Sequence, residues 1–312
     1  MKVSLVVRAR NEAVYLPRLI EGIHAQDYEP DECLLVDSGS TDETREIAAS
    51  AGWKVIQMPA EDFTFGRSLN LGCKAASGDV LVILSAHVYP VRADYLRKMV
   101  EAVAEHADTV AYGRQIGDQR TKFSERVIMS QWFPSERIAD QGHAFTNNAN
   151  AAISKELWAR FKYDEDLSGL EDIELSARVL AEGGRVTYVN EAPVVHVHEE
   201  SFSSIRERYR REASAYKQIF AGEGMTLWHA VSLFLKNSFR DSRLAQEQSM
   251  FSTEFCSIIS FRLAQFWGAW NGFRVRGAQE SDLQIRMYHP QGRSFPVEES
   301  APLTIVYPAE NA

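Results

Sequence analysis

Asp79-Val80-Leu81-Val82-Ile83-Leu84-Ser85-Ala86-His87-Val88-Tyr89-Pro90 is the stretch on which the reading of the fold turns. An apolar run of strand length, rich in β-branched residues, stops at Ser85-Ala86-His87, and Pro90 closes the segment. Such a run between turn signals predicts a buried parallel strand over Val80–Leu84. In open α/β sheets, ligands gather just outside the carboxyl ends of the strands. His87 falls at that place, as a metal ligand or as an incidental hydrogen-bonded histidine.

Outward from this strand, strand and helix signals alternate. Strands are expected over Val3–Val7, Glu32–Val36, Trp53–Met58 and Thr109–Tyr112. The helices between them are Glu12–Ala25 (Leu16, Leu19, Ile20 and Ile23 on one face), Thr41–Ala51, Gly66–Ala76 and Ala93–Glu105. This alternation predicts a doubly wound, mainly parallel α/β sheet. From Lys122 the rhythm changes. Phe123–Trp132 reads as a helix, Pro134–Phe145 as an irregular loop suited to an active site, Asn147–Ile153 as a strand and Lys155–Phe161 as a helix. The acidic segment Asp164–Asp172 leads into a helix over Ile173–Glu182, and two short strands follow, Val186–Val189 and Pro193–Val197. Beyond His198 the chain is helical in character: Phe202–Phe220, Leu227–Phe239 and Phe251–Phe273. The expected divisions are 1–203, a helical region 204–276 and an extended tail 277–312.

A formal charge of −9 argues against a general nucleic-acid binder. Cys33, Cys73 and Cys256 are odd in number and widely spaced, with neither a disulfide framework nor a zinc pattern, so a reducing cytoplasm is expected. The first apolar run is too brief for a signal peptide, and no run reaches the length of a membrane span.

Each candidate site has a plainer reading beside it. Asp37-Ser38-Gly39-Ser40-Thr41-Asp42 offers acceptors to a nucleoside ahead of a helix N-terminus, but capping accounts for most of it; Asp37, at the end of a buried strand, is what capping leaves over. Arg8, Ala9, Arg10, Asn11 and Glu12 follow the first strand and could meet an anionic ligand, or form a polar loop. Arg67 and Asn70 could face the same crevice or solvent. Ser85 and His87 would share a side of their strand end. His196 and His198 form a His-x-His pair whose side chains share a face, and three histidines from two strand ends are a plausible metal set. Glu171-Asp172 at a helix start is either a general base toward an alcohol or a pair of acids favoured by the helix dipole. The aromatics from Trp228 to Trp270 read as helix packing, or as a membrane or dimer face.

In this order, these stretches resemble the family 2 glycosyltransferases of GT-A fold, over Val3 to about Ser203. The resemblance is carried by Val6-Val7-Arg8-Ala9-Arg10-Asn11-Glu12, Val36-Asp37-Ser38-Gly39-Ser40-Thr41-Asp42, Arg67-Ser68-Leu69-Asn70-Leu71-Gly72, Gly169-Leu170-Glu171-Asp172-Ile173-Glu174 and Val195-His196-Val197-His198. Tyr112-Gly113-Arg114-Gln115, Phe123-Ser124-Glu125-Arg126 and Phe133-Pro134 look like the bacterial rhamnosyltransferase-like branch. The resemblance implies a nucleotide-diphosphate sugar donor, UDP- or dTDP-linked, bound by Asp37, Ser40, Asp42, Arg8, Ala9, Asn11, Glu12, Arg67, Asn70, Ser85 and Ala86. It implies Asp172, with Glu171 beside it, as the base in an inverting displacement onto a glycan or lipid-linked acceptor. It also implies a divalent cation, Mn2+ or Mg2+, and a place in surface polysaccharide synthesis. Apart from the resemblance, the arginines and aromatics of the helical C-terminus suit peripheral contact with the inner face of a membrane, or a homodimer. Ser85-Ala86-His87 lies where the family places Asp-x-Asp, and both acids are missing. Polypeptide GalNAc-transferase relatives carry Asp-x-His there, which makes His87 a retained ligand completed by His196 or His198. The alternatives are a metal-independent transferase that uses Arg206, Arg208 or Arg210, and a non-catalytic nucleotide-sugar or glycan-binding module. A nucleotidyltransferase would want a glycine-rich loop where Arg8-Ala9-Arg10-Asn11 stands.

Overall fold

The strands β1 (Val3–Ala9), β2 (Glu32–Asp37), β3 (Lys54–Gln57), β4 (Val80–Ser85), β5 (Val88–Pro90), β6 (Thr109–Ile116), β7 (Asn150–Ser154) and β8 (Arg185–His196) form one sheet in the order β3-β2-β1-β4-β7-β6-β8-β5. The structure is a computed structural model that describes residues 1–220, 224–274 and 305–307. β1 pairs in parallel with both β2 and β4, and β2 with β3, as alternating strands and crossover helices require. β7 enters antiparallel between β4 and β6. β6 and β8 are parallel, and β5 closes the edge antiparallel to β8. The expected α/β sheet of GT-A type is thus present, with an antiparallel insertion on one side.

Side chains alternate across the sheet and build two cores. On one face Leu5, Val7, Val82 and Leu84 pack under α1 (Leu16–His24), α2 (Thr44–Ser50) and α4 (Tyr95–Ala104). On the other, Val6, Leu81 and Ile83 pack under α3 (Phe65–Ala75), α6 (Lys155–Phe161) and α7 (Glu171–Ala181). Strands covered on both faces need continuous apolar runs, which is why Val80–Leu84 shows no polar alternation. Three helices follow the sheet: α8 (Phe202–Ile219), α9 (Leu227–Glu247) and α10 (Phe251–Phe273). They share a core of Ile205, Tyr209, Leu233, Phe261 and Phe273. A buried polar knot joins this layer to α5 (Phe123–Trp132): the Asp241 carboxylate accepts from Arg262 Nε at 2.7 Å and from Ser124 Oγ at 2.6 Å.

Several expectations are corrected. The helix expected from Glu12 starts at Leu16, because Asn11 is left-handed (φ 56°) and the Glu12 amide donates to Thr44 Oγ1 instead. The helix expected from Thr41 starts at Thr44, after Asp42 has bonded the Thr44 amide. Val186–Val189 and Pro193–Val197 are one strand, β8, and its register against β6 shifts between Gly113 and Gln115. β5, three residues long, has no counterpart in the reading above. α9 runs eight residues beyond Phe239. The tail expected over 277–312 lies outside the described residues, except that Ile305 bonds Val91 O and Tyr307 Oη bonds Pro90 O at the β5 edge.

α3 sits close on the sheet because Gly72 carries no side chain: a Cβ there would lie 2.6 Å from Val6 Cγ1 and 2.8 Å from Val36 Cγ2. Gly72→Val should therefore destabilise the protein by about 1–3 kcal/mol, read as a lower midpoint in thermal or urea unfolding.

Candidate active site

Just outside the carboxyl ends of β1 and β4 lies a cleft of about 540 Å3. That is ample for a small organic ligand. Strand ends supply Arg8, Ala9, Ser85 and His196, the α7 N-terminus supplies Glu171 and Asp172, and one face of α8 supplies Arg208, Arg211 and Glu212.

Glu171 and Asp172 stand side by side and are treated differently. Glu171 is buried, and its Oε1 accepts from Arg8 at 3.1 Å and from Asn148 Nδ2 at 3.2 Å. Asp172 is half-buried at the cleft wall. Its carboxylate accepts the Asn148 amide at 2.9 Å and its own helix's Ile173 amide at 2.9 Å. Desolvation first, and the Glu171 charge second, push the Asp172 carboxyl up to about 7 despite those two bonds. An acid tuned to neutrality in a cleft suits general-base work. Arg8, ion-paired to Glu171, also lies over the Phe65 ring, 4.6 Å from its centroid, with Arg211 5.2 Å from the same ring.

The three histidines meet. The ring centroids of His87 and His196 are 5.1 Å apart, those of His87 and His198 5.7 Å, and those of His196 and His198 4.0 Å. Strand pairing brings them together, since Val88 stands opposite His196 and the Val197 amide bonds His87 O. Each Nδ1 has a side-chain oxygen beside it: Glu12 for His87 at 2.9 Å, Gln115 for His196 at 2.7 Å, and Glu125 for His198 at 2.7 Å. His196 Nε2 is buried with no partner. Burial, with the neighbouring His198 and His87, holds the His196 pKa well below the usual range, so this ring is neutral and its free nitrogen can be a ligand. Burial opposes the charge on Glu125, yet the Arg208 guanidinium and His198 keep its carboxyl at about 2. One donor nitrogen from each ring lies within 4.8 Å of the others. Three converging imidazoles, one with an orphaned buried nitrogen, fit a divalent cation.

Other sequence candidates lie elsewhere. Asp37 does not line the cleft. It is buried at the end of β2, and its carboxylate accepts the Gly39 and Ser40 amides at 3.2–3.3 Å. Ser40 Oγ accepts the Asn11 amide, and Asp42 accepts the Ala13 amide; these bonds tie the two loops together beside the cleft. Arg67 bonds Glu165 and Asp62 O, and Asn70 makes four bonds to Trp158, Tyr163 and Glu165, so both brace α3 against the 162–165 loop. Ala86 is fully buried in the core under α1 and α4. Arg206 and Arg210 lie off the lining, and Arg210 pairs with Glu207. Asn148, Gln115, Glu125 and Arg211 were missed. For Arg211 a signal existed: Arg208, Arg211 and Glu212 are spaced i, i+3, i+4 on one helix face.

The chain belongs to glycosyl transferase family 2, whose model matches residues 4–167. It is 24% identical over 217 residues to the O-antigen chain rhamnosyltransferase RfbN of Salmonella typhimurium, covering 64% of this chain and 67% of that protein. It is 28% identical over 206 residues to the succinoglycan biosynthesis protein ExoA of Rhizobium meliloti, covering 62% of each. The chain thus spans about two thirds of the length of these relatives. Among solved structures, the mannosyltransferase PcManGT from Pyrobaculum calidifontis, in complex with GDP-Man and Mn2+, shares the fold with a TM-score of 0.59 at 18% identity, covering 87% of this chain and 86% of that one.

The Asp172 carboxyl is held above its unfolded value, so the fold favours its protonated form. Its contribution to stability is present at low pH and is lost as pH rises through about 7. Asp172→Asn, which cannot ionise but keeps only one oxygen for the two backbone amides, should gain stability relative to the parent protein as pH rises from about 4 to 8, by on the order of 2–4 kcal/mol, read from unfolding midpoints across pH.

Proposed function

We propose that this cleft transfers a hexosyl or deoxyhexosyl group, with inversion, from a UDP- or dTDP-linked donor to a hydroxyl of a growing bacterial surface polysaccharide. The observation that carries the reading is the presence, in one cleft, of an acid tuned to about 7 beside Arg8 and of a cluster of three histidines. The family supplies the reaction class, and the O-antigen and succinoglycan relatives support the product class.

The two poles match the two charges of the reaction. Asp172 takes the proton from the acceptor hydroxyl as its oxygen attacks the anomeric carbon, and the nucleoside diphosphate leaves on the opposite side. Two backbone amides fix the carboxylate, so no reorganisation is needed at that step. Glu171 is the positioning partner: it holds Arg8 and Asn148 and raises the basicity of its neighbour. Arg211, from α8, and Arg8 bring positive charge to the cleft over Phe65. His87, His196 and His198 would hold a divalent cation, whose chemistry when bound is to neutralise charge on the leaving diphosphate. The loops at Asn11 and Ser40 shape the adjacent wall.

Asp172→Asn should lower transfer by about 10^2–10^4-fold with donor affinity nearly unchanged. Turnover of the parent protein should fall about tenfold per pH unit below about 7, as the base is protonated. Transfer kinetics and calorimetry of donor binding check both, and near-normal turnover in the variant contradicts the assignment.

We also propose a lipid-linked acceptor, met on a membrane surface. α9 exposes Trp228, Val231, Leu235 and Phe239 in a helical stripe, and α10 exposes Phe255 and Trp267. No helix among the described residues is long and apolar enough to cross a membrane. Residues 202–274 carry ten Lys and Arg against six Asp and Glu, while the whole chain carries 34 against 43. This regional excess of positive charge suits anionic headgroups. The protein should float with phosphatidylglycerol vesicles at low salt and fail to do so as W228S/F239S; no flotation of the parent protein contradicts this placement.

A further inference from the structure

We propose that His87, His196 and His198 form a transition-metal site that rejects magnesium, with Glu12, Gln115 and Glu125 as the residues that aim the three rings. The inference deepens the reading of this pole as the place of the leaving diphosphate. It rests on that reading for the site's purpose, but its geometry stands independently.

The rings come from two places in the fold, the turn after β4 and the end of β8, and each is oriented by a different element. Glu12 reaches His87 from the loop after β1, Gln115 reaches His196 from β6, and Glu125 reaches His198 from α5. An Nδ1 that donates to oxygen carries the ring proton, which leaves the lone pair on Nε2. This arrangement, an imidazole backed by a carboxylate or amide oxygen, is the outer support that metal-bound histidines need. It is repeated three times around one point. His196 Nε2 shows what it is for, because a buried ring nitrogen without a partner costs free energy unless something meets it.

The carboxylates nearby are already engaged. Glu125 and Glu200 each accept from Arg208, at 2.8 and 2.6 Å, so the neighbouring Glu125, His198, Glu200 group has its positive charge supplied by a guanidinium. Glu12 is bonded to His87. The donors left facing one another are therefore nitrogens. Magnesium demands oxygen ligands and keeps its water shell, whereas imidazole suits zinc, cobalt, nickel and iron. Manganese is the weakest binder of that series.

The test uses Co2+ and the full-length protein after chelator treatment, with no donor present. One equivalent of Co2+ should bind and give visible d–d absorption bands, Zn2+ should displace it, and Mg2+ at a hundredfold excess should not. Glu125→Gln should weaken Co2+ binding about 10–100-fold while the ligands remain, and His196→Ala, checked for folding by circular dichroism, should abolish the bands. Absence of stoichiometric Co2+ binding to the parent protein, or displacement by equimolar Mg2+, overturns the proposal. If transfer proceeds in chelator and Co2+ does not bind, this site falls and the transferase reading stands. If Co2+ binds as described and no nucleotide sugar is turned over, the site stands and the reading of its purpose falls.

Discussion

The short antiparallel pairing of β5 with β8 holds the site together. Val88 opposite His196 sets the turn that follows β4 against the end of β8. Without that register, His87 would hang from one strand end while His196 and His198 left the sheet on another. The pairing is only three residues long, so it needs support. β8 receives it from its parallel partner β6, and β5 from the contacts of Ile305 and Tyr307. The histidine pole is a consequence of sheet topology, and the carboxylate pole is a consequence of where α7 begins.

The two poles also differ in how they are charged. Around Asp172 the protein supplies backbone amides and a neighbouring acid, which leave a carboxylate of raised basicity. Around His198 it supplies the buried Glu125 and the half-buried Arg208, which pairs with both Glu125 and Glu200. Breaking such a pair by removing one partner leaves an uncompensated charge, which costs several kcal/mol. Arg208 therefore ties α8 to α5 as well as lining the cleft, and Arg211, one turn on, faces the cleft beside Arg8. Of the three arginines expected to serve if a metal is absent, Arg208 lines the cleft, while Arg206 and Arg210 lie off it.

Much of the fold was legible in the sequence, for physical reasons. The bounds of α5, α6 and α10 match their apolar patterns, and Val80–Leu84 shows the continuous apolar run of a strand covered on both faces. β5 was illegible because three residues ending in proline carry no period. β8 read as two strands because Asn190-Glu191 and Pro193 interrupt its apolar character, while the register shift against β6 absorbs the irregularity. In the site, positions were legible and directions were not. Asp37, Arg67 and Asn70 lie off the cleft lining, with their polar atoms committed to nearby groups. The backing of each histidine by Glu12, Gln115 or Glu125 joins residues up to 81 apart, and no local pattern records that.

The central claim is that the histidine pole and the Asp172 pole are the two ends of one donor site. The most direct measurement is a crystal structure with UDP or dTDP and Mn2+ or Co2+, collected at the metal's absorption edge. An anomalous peak should lie within bonding distance of His87, His196 and His198 and of the diphosphate, with Asp172 facing the space where the sugar would sit. A nucleotide bound elsewhere, or a diphosphate in this cleft held by Arg8 and Arg211 with no anomalous peak at the histidines, would contradict it.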